Sequence, residues 1–168
     1  MTGKELIRYG FYISLLILLD QLSKVFFITY LKTQPNYIYQ LFPFLDMVYA
    51  WNYGVSFGLF SNHTNYSNWT FLILNSFIVL YLWFLLKQNQ SKLINYSLVL
   101  IIGGALGNII DRLFRGAVFD FIFFYYKDFY FPAFNLADSF ISIGACLFIL
   151  DYIFNKKHLK KKQNSAKF

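Results

Sequence analysis

The sequence predicts an all-α membrane protein: four transmembrane helices, a small sheet after the first, and a short interfacial segment before the fourth. Three observations predict it. The 168 residues are 58% hydrophobic and only 14% charged, too little charge to cover a soluble domain of this size, whereas lipid solvates an apolar exterior. Four apolar runs each approach the ~20 residues a helix needs to cross the hydrocarbon core. Lys and Arg sit mainly outside those runs. At this length a single domain, 1–168, is the natural reading.

The first span covers approximately 9–31 and is interrupted by DQLSK at 20–24. Lys4 and Arg8 precede it. A basic start before an apolar stretch also suits a cleaved signal peptide, but no small-residue cleavage site follows, so the segment reads as a retained helix. The second span, 69–87, has no charge between Trp69 and Leu86. The third, 93–112, stops at Asp111-Arg112. The fourth, 134–154, carries Asp138 near its start and Asp151 near its end. A basic tail, 155–168, follows, with Lys156, Lys157, Lys160, Lys161, Lys162 and Lys167.

Four spans place both termini on one side, and the Lys/Arg bias makes that side cytoplasmic. The net charge of +7 is therefore read as a topology signal, with the tail able to adhere to anionic lipid heads, rather than as a nucleic-acid surface. Segments 32–68 and 113–133 then face outward. The first mixes aromatic and β-branched residues with Pro, Gly and Asn, which suits a small sheet on the membrane surface. The second contains FDFIFFYYKDFYFPAF, which suits headgroup depth. Interfacial anchoring explains its aromatics at 123–134, and so does the lining of a lipid entry.

Cys146 lies alone in an apolar run, so neither a disulfide nor a cysteine-based metal site is expected. His63 and His158 have no partner at ligand spacing. No metal or cofactor is expected.

The polar residues inside the spans carry more information, because a charge near the bilayer centre costs about 2.5–3.5 kcal/mol on insertion scales. Asp20 lies roughly 16 Å into its helix, with Lys24 one turn further on the same face. The pair neutralises itself and so lets the helix insert, or it fixes something nearby. In GGALGNIIDR, 103–112, Gly103 and Gly107 make a small-xxx-small ridge. Gly104, Asn108 and Arg112 recur every fourth residue, with Asp111 beside them, as a polar stripe. Asn52 and Gly54, in NYGVSFG at 52–58, make a turn on their own reading.

The stretch FPAFNLADSF, 131–140, fits a helix start, with Asn135 as N-cap and Asp138 three residues on. Ser139 and Ser142 extend the same face. Asp138 also sits at the outer end of span four, and Asp120, in VFDFIFF, lies in the segment that leads to it. Two carboxylates brought together at one depth do not both ionise easily. Such a pair can hold a water, the ionised partner removing its proton and the protonated one polarising a carbonyl. The helix start favours ionised Asp138, which leaves Asp120 the easier one to protonate.

DQLSK, NYGVSFG, GGALGNIIDR, GAVFDF (116–121) and PAFNLADS (132–139), in this order from residue 20 to about 151, together resemble the lipoprotein signal peptidases, the bacterial type II signal peptidases. The resemblance implies a four-helix integral membrane aspartyl endopeptidase with an outer β-cradle and a gating helix before span four. It implies cleavage of prolipoproteins just before a diacylglyceryl-modified cysteine. Its catalytic aspartates match Asp120 and Asp138. Its supporting residues match Asp20, Lys24, Asn52, Gly54, Asn108, Asp111, Arg112 and Asn135. One departure is Phe119, where a β-branched aliphatic is usual, and this could reshape a wall of the cleft. The partners implied are lipid-modified signal peptides and membrane lipids, with the enzyme acting as a monomer in the bacterial cytoplasmic (inner) membrane.

The alternative is a small proton-coupled transporter, since intramembrane carboxylates also mark proton relays. It calls for acids near mid-membrane on several spans, and here only Asp20 is that deep. A structural subunit with satisfied polar pairs is the third class.

Overall fold

The computed structural model describes residues 2–54, 65–88 and 91–165, with 65–67 and 155–165 in backbone only. Four helices, α1 (Gly3–Leu31), α2 (Asn65–Lys87), α3 (Lys92–Arg115) and α4 (Leu136–Ser165), form a bundle. All four are long and apolar enough to cross a membrane. A sheet of β1 (Ile38–Phe42), β2 (Leu45–Asn52), β3 (Val118–Tyr126) and β4 (Phe129–Tyr130) caps one end, its strands antiparallel and in sequence order. A helix of spanning length falls on each of the four expected apolar runs. α4 runs past the expected limit of span four, through Ser165.

α1 starts where Thr2 and Glu5 close a capping box. α3 is the central helix, with far more of its apolar stretch buried than the other three. Its glycines explain how. In lipid, helices associate by close packing rather than by escape from water, and an added Cβ would crowd all three α3 glycines, Gly104 and Gly107 most tightly. A Cβ on Gly104 would lie 2.4 Å from the Ala137 carbonyl oxygen of α4, and one on Gly107 would lie 2.6 Å from a carboxylate oxygen of Asp20 on α1. The expected ridge is real, although Gly104 rather than Gly103 makes the closest approach to α4.

α3 ends at Gly116, whose φ of +76° is the left-handed cap that glycine adopts without strain. The chain turns there directly into β3. Here the structure departs from one implication of the family resemblance. Among the described residues no gating helix precedes α4; β3 and β4, joined by a turn at 127–128, occupy that stretch instead. Apart from Asp120, VFDFIFFYY is β-branched and aromatic, which favours a pleated strand, and its backbone pairs with β2 from Leu45↔Phe124 to Asn52↔Val118.

The sheet rests on the end of α1. Leu31, Met47, Phe119 and Phe121 are buried together, with Phe27, Tyr49 and Trp51 against them. The Phe27 and Phe121 rings stack 4.4 Å apart. Strand alternation puts Phe119 on the opposite face from Asp120. Phe119 therefore builds the aromatic cluster, 5.1 Å from both Tyr49 and Trp51, and does not wall the cleft as its unusual identity had suggested.

Candidate active site

Asp120 and Asp138 come from different elements and meet through one residue. Asp120 points from β3 toward the helix ends, and Asp138 sits in the first turn of α4. Asn135, fully buried, lies between them. Its side-chain amide donates to Asp120 Oδ1 at 2.7 Å, and its backbone N–H donates to Asp138 Oδ2 at 3.1 Å. Its Oδ1 accepts from the Asp138 N–H at 3.0 Å. The last two bonds are a reciprocal cap on α4. The expected cap at FPAFNLADSF is present, and the same asparagine that makes it also holds Asp120.

Two further amides complete the seat. Asn52, at the end of β2, donates to Asp120 Oδ2 at 3.1 Å, while its own Oδ1 accepts from the Gly54 N–H at 3.1 Å. The expected turn therefore exists, and it aims the Asn52 amide. Residues 55–58 of that motif lie outside the described residues. Asn108, on α3, donates to Asp138 Oδ1 at 2.8 Å and accepts from Lys24 Nζ at 3.0 Å and from Asn135 Nδ2 at 3.2 Å.

Below this layer lies an ion cluster. Lys24 contacts Asp20 at 2.9 Å and Asp111 at 2.8 Å, and all three side chains are fully buried. The Asp20–Lys24 pair is therefore not self-contained. Gln21 and Arg115, which motif spacing did not single out, join the cluster. Arg115 had one legible signal, its position four residues after Asp111 on the same helical face.

Arg112 is buried beside the site with its guanidinium over the Phe71 ring, 5.7 Å from its centroid. Its Nη1 reaches the Asn108 carbonyl at 3.5 Å, and its Nε has no hydrogen-bond partner among the described residues. Its charge faces Asp138, Asp120 and Asp111, but no hydrogen bond joins it to either dyad carboxylate. Of the ten expected site residues, Arg112 is the one brought close without being tied in.

Asp120 is 3% exposed. Burial, and then the neighbouring Asp138 carboxylate, push its pKa up from 3.8 to about 7, against the pull of the Asn52 and Asn135 amides and Lys24. A cavity of about 710 Å³ reaches Asp138 and Asn52, within the ordinary range for a ligand site. Its walls are mainly apolar, from Phe131, Pro132, Ala133 and Phe134 on one side and Ile143 of α4, with the Ser139 and Ser142 side chains among them. Part of the aromatic run thus lines a cleft, as one of its two readings required. Among the described residues no group of three or more His, Cys, Asp or Glu converges as a metal site would.

Four long apolar helices with a small sheet at one end, and two carboxylates linked by buried amides where the sheet meets them, define a multi-pass membrane protein. The signal peptidase (SPase) II family model matches residues 12–154, and the chain belongs to that family. It is 52% identical over 149 residues to the lipoprotein signal peptidase of Rickettsia canadensis, covering 88% of this chain and 75% of that one. The corresponding protein of Rickettsia bellii is 50% identical with the same coverage. A bacterial membrane enzyme solved by the in meso method at 2.3 Å resolution superposes with a TM-score of 0.77 at 26% identity, covering 90% of both chains. A second bacterial membrane enzyme, solved at 1.9 Å, gives 0.73 at 27% identity, covering 86% of this chain and 92% of that one.

Proposed function

We propose that this chain is an intramembrane aspartyl endopeptidase that removes the signal peptide from bacterial prolipoproteins, cutting on the N-terminal side of the diacylglyceryl-modified cysteine. The observation that carries the proposal is Asn135 donating to both Asp120 and Asp138, which ties the two acids into one seat. A water held between them gives its proton to ionised Asp138 while its oxygen attacks the scissile carbonyl carbon. Protonated Asp120 gives its proton to the carbonyl oxygen. When the tetrahedral centre collapses, the C–N bond breaks, Asp120 regains its proton and Asp138 returns the other to the leaving amine. Both acids end as they began.

The cleft supports the substrate class. It descends α4 from Asp138 past Ser142 to Ile143, with mainly apolar walls. A lipid-modified peptide can keep its acyl chains in the bilayer along that path and present its scissile bond at headgroup depth. The Lys/Arg bias supports placing both termini in the cytoplasm and the site near the outer face of the bacterial inner membrane. We take the enzyme to act as a monomer on prolipoprotein within membrane lipid. A transporter is less well supported, because among the described residues Asp20, Asp111, Asp120 and Asp138 form one connected group and do not spread through the bilayer.

The test is purified protein in detergent with a diacylglyceryl-modified prolipoprotein. Wild type cleaves it, Asp120→Asn and Asp138→Asn do not while remaining folded, and chelators have no effect. Equal cleavage of an unlipidated precursor overturns the substrate assignment; retained cleavage in either variant overturns the dyad.

A further inference from the structure

Each aspartate of the dyad follows a residue whose backbone N–H is held by a buried carboxylate. Ala137 belongs to the first turn of α4, where N–H groups have no intrahelical acceptor. Its N–H donates to Asp20 Oδ1 at 3.0 Å. Phe119 lies where β3 has β2 on one flank and α3 on the other, and its N–H donates to Asp111 Oδ2 at 3.2 Å. A buried N–H left unpaired costs roughly 1–3 kcal/mol, so these two bonds pin the chain immediately before Asp138 and Asp120.

The two pinning carboxylates are themselves joined twice. Lys24 bridges them from one side. Gln21 bridges them again: its Nε2 lies 3.1 Å from Asp20 Oδ2 and 3.1 Å from Asp111 Oδ1. The same amide reaches the Gly107 carbonyl at 3.1 Å, and Gln21 Oε1 accepts from Arg115 at 2.7 Å. Arg115 also pairs with Asp111. Two acids therefore meet two cations, and the neutral amide adds a second tie without adding charge to a buried site, where each unpaired ion costs several kcal/mol.

We propose that Gln21 and Arg115 are positioning residues that, together with Lys24, set the separation of Asp120 and Asp138 by locking Asp20 to Asp111. A displacement of one pinning carboxylate relative to the other moves Ala137 relative to Phe119, and the dyad opens or closes with it. The inference rests on the aspartyl peptidase reading above.

The test is steady-state cleavage of the diacylglyceryl-modified prolipoprotein by full-length Gln21→Met, Arg115→Met, the double variant and Arg115→Lys, with thermal unfolding followed in parallel. Both single variants are expected to fold and to lose kcat by about 10–100-fold, as a misplacement of order 1 Å does, with KM changed less than about twofold. The double variant is expected to be no slower than the slower single one, because the two residues act as a unit. Arg115→Lys, which keeps a donor to Asp111, is expected to regain most of kcat. Wild-type kcat in either folded single variant overturns the proposal, and so do losses that multiply in the double variant. Because Arg115 is partly exposed at a helix end, its variants keep the test decisive if Gln21→Met fails to fold. If wild type itself leaves the substrate uncut, the peptidase reading fails; if wild type cuts and Gln21→Met equals it, only this inference fails.

Discussion

Raising the pH should cost this protein both rate and stability through one proton on Asp120. That carboxyl titrates near 7 in the folded chain against 3.8 when unperturbed, chiefly because it is buried and then because Asp138 faces it. The difference, about 7 less 3.8, is roughly three units, and at 1.36 kcal/mol per unit it amounts to about 4 kcal/mol. Below pH 3.8 both states hold the proton and Asp120 contributes nothing. Between 3.8 and about 7 the unfolded chain has released it while the folded chain keeps it. Stability therefore falls with rising pH by about 1.4 kcal/mol per unit. Above about 7 both states are ionised and the whole cost is present.

Asp120→Asn cannot titrate. Its lost acceptor adds a constant offset, so the slope of the difference between wild type and variant isolates the proton. Thermal unfolding in one detergent from roughly pH 4 to 9 should show wild type losing ground up to about pH 7, by several degrees in all, and then running parallel to the variant. The pH profile of kcat/KM, which reports the free enzyme, should fall about tenfold per unit above the same pH. A stability difference that is flat or rises across that interval refutes the assignment. A rate that does not fall above about 7 refutes the role of Asp120 as the protonated partner.

Other outcomes follow from single contacts. Asn52→Ala removes a donor that favours ionised Asp120. A hydrogen bond to a charged group is worth about 1.5–3 kcal/mol, so the alkaline limb of kcat/KM should move up by about one to two pH units; an unmoved or lowered limb contradicts the geometry. Gly104→Ala places a methyl 2.4 Å from the Ala137 carbonyl. It should lower stability by about 1–3 kcal/mol and reduce kcat, because α4 is displaced together with Asp138; a variant that melts like wild type argues against the close approach. Phe119→Val empties part of the aromatic cluster on the far face of β3 and should lower stability by about 2–4 kcal/mol. At temperatures where the variant is folded, KM should stay unchanged, as measured with the lipidated substrate.

The parts of this fold that were legible in the sequence are those set by the bilayer. Helix length and the scarcity of charge marked all four spans, and scarcity also made each remaining polar residue conspicuous. Asp120, Asp138, Asn108 and Asn135 could be singled out because lipid tolerates few such groups. The strand β3 was harder to see. Period-two alternation shows only when the two faces differ, and VFDFIFFYY is apolar on both except at Asp120, so nothing in its pattern separated a strand from an interfacial segment. Gln21 and its contact with Arg115 were hidden for another reason. Its partners lie 90 and 94 residues away, and only the packing of α1 on α3 brings those ends together.

Why the dyad is seated by amides rather than by the nearby lysine can be argued from the same geometry. An opposite charge in direct contact lowers a carboxylate pKa by about 1–3 units. Were Lys24 to touch Asp120, that acid would be ionised at working pH and unable to hand a proton to a carbonyl oxygen. Instead Lys24 spends its contacts on Asp20, Asp111 and Asn108 Oδ1. The bond to Asn108 has a directional consequence. With its oxygen turned to the ammonium, the amide must present its NH2 to Asp138, and it does so at 2.8 Å. The lysine thus fixes which end of an asparagine faces the dyad while staying one residue removed from it, and among the influences on Asp120 its charge is the weakest of those that lower the pKa. Burial can then hold the proton that the proposed hydrolysis requires, and the carboxylates keep their place through neutral donors.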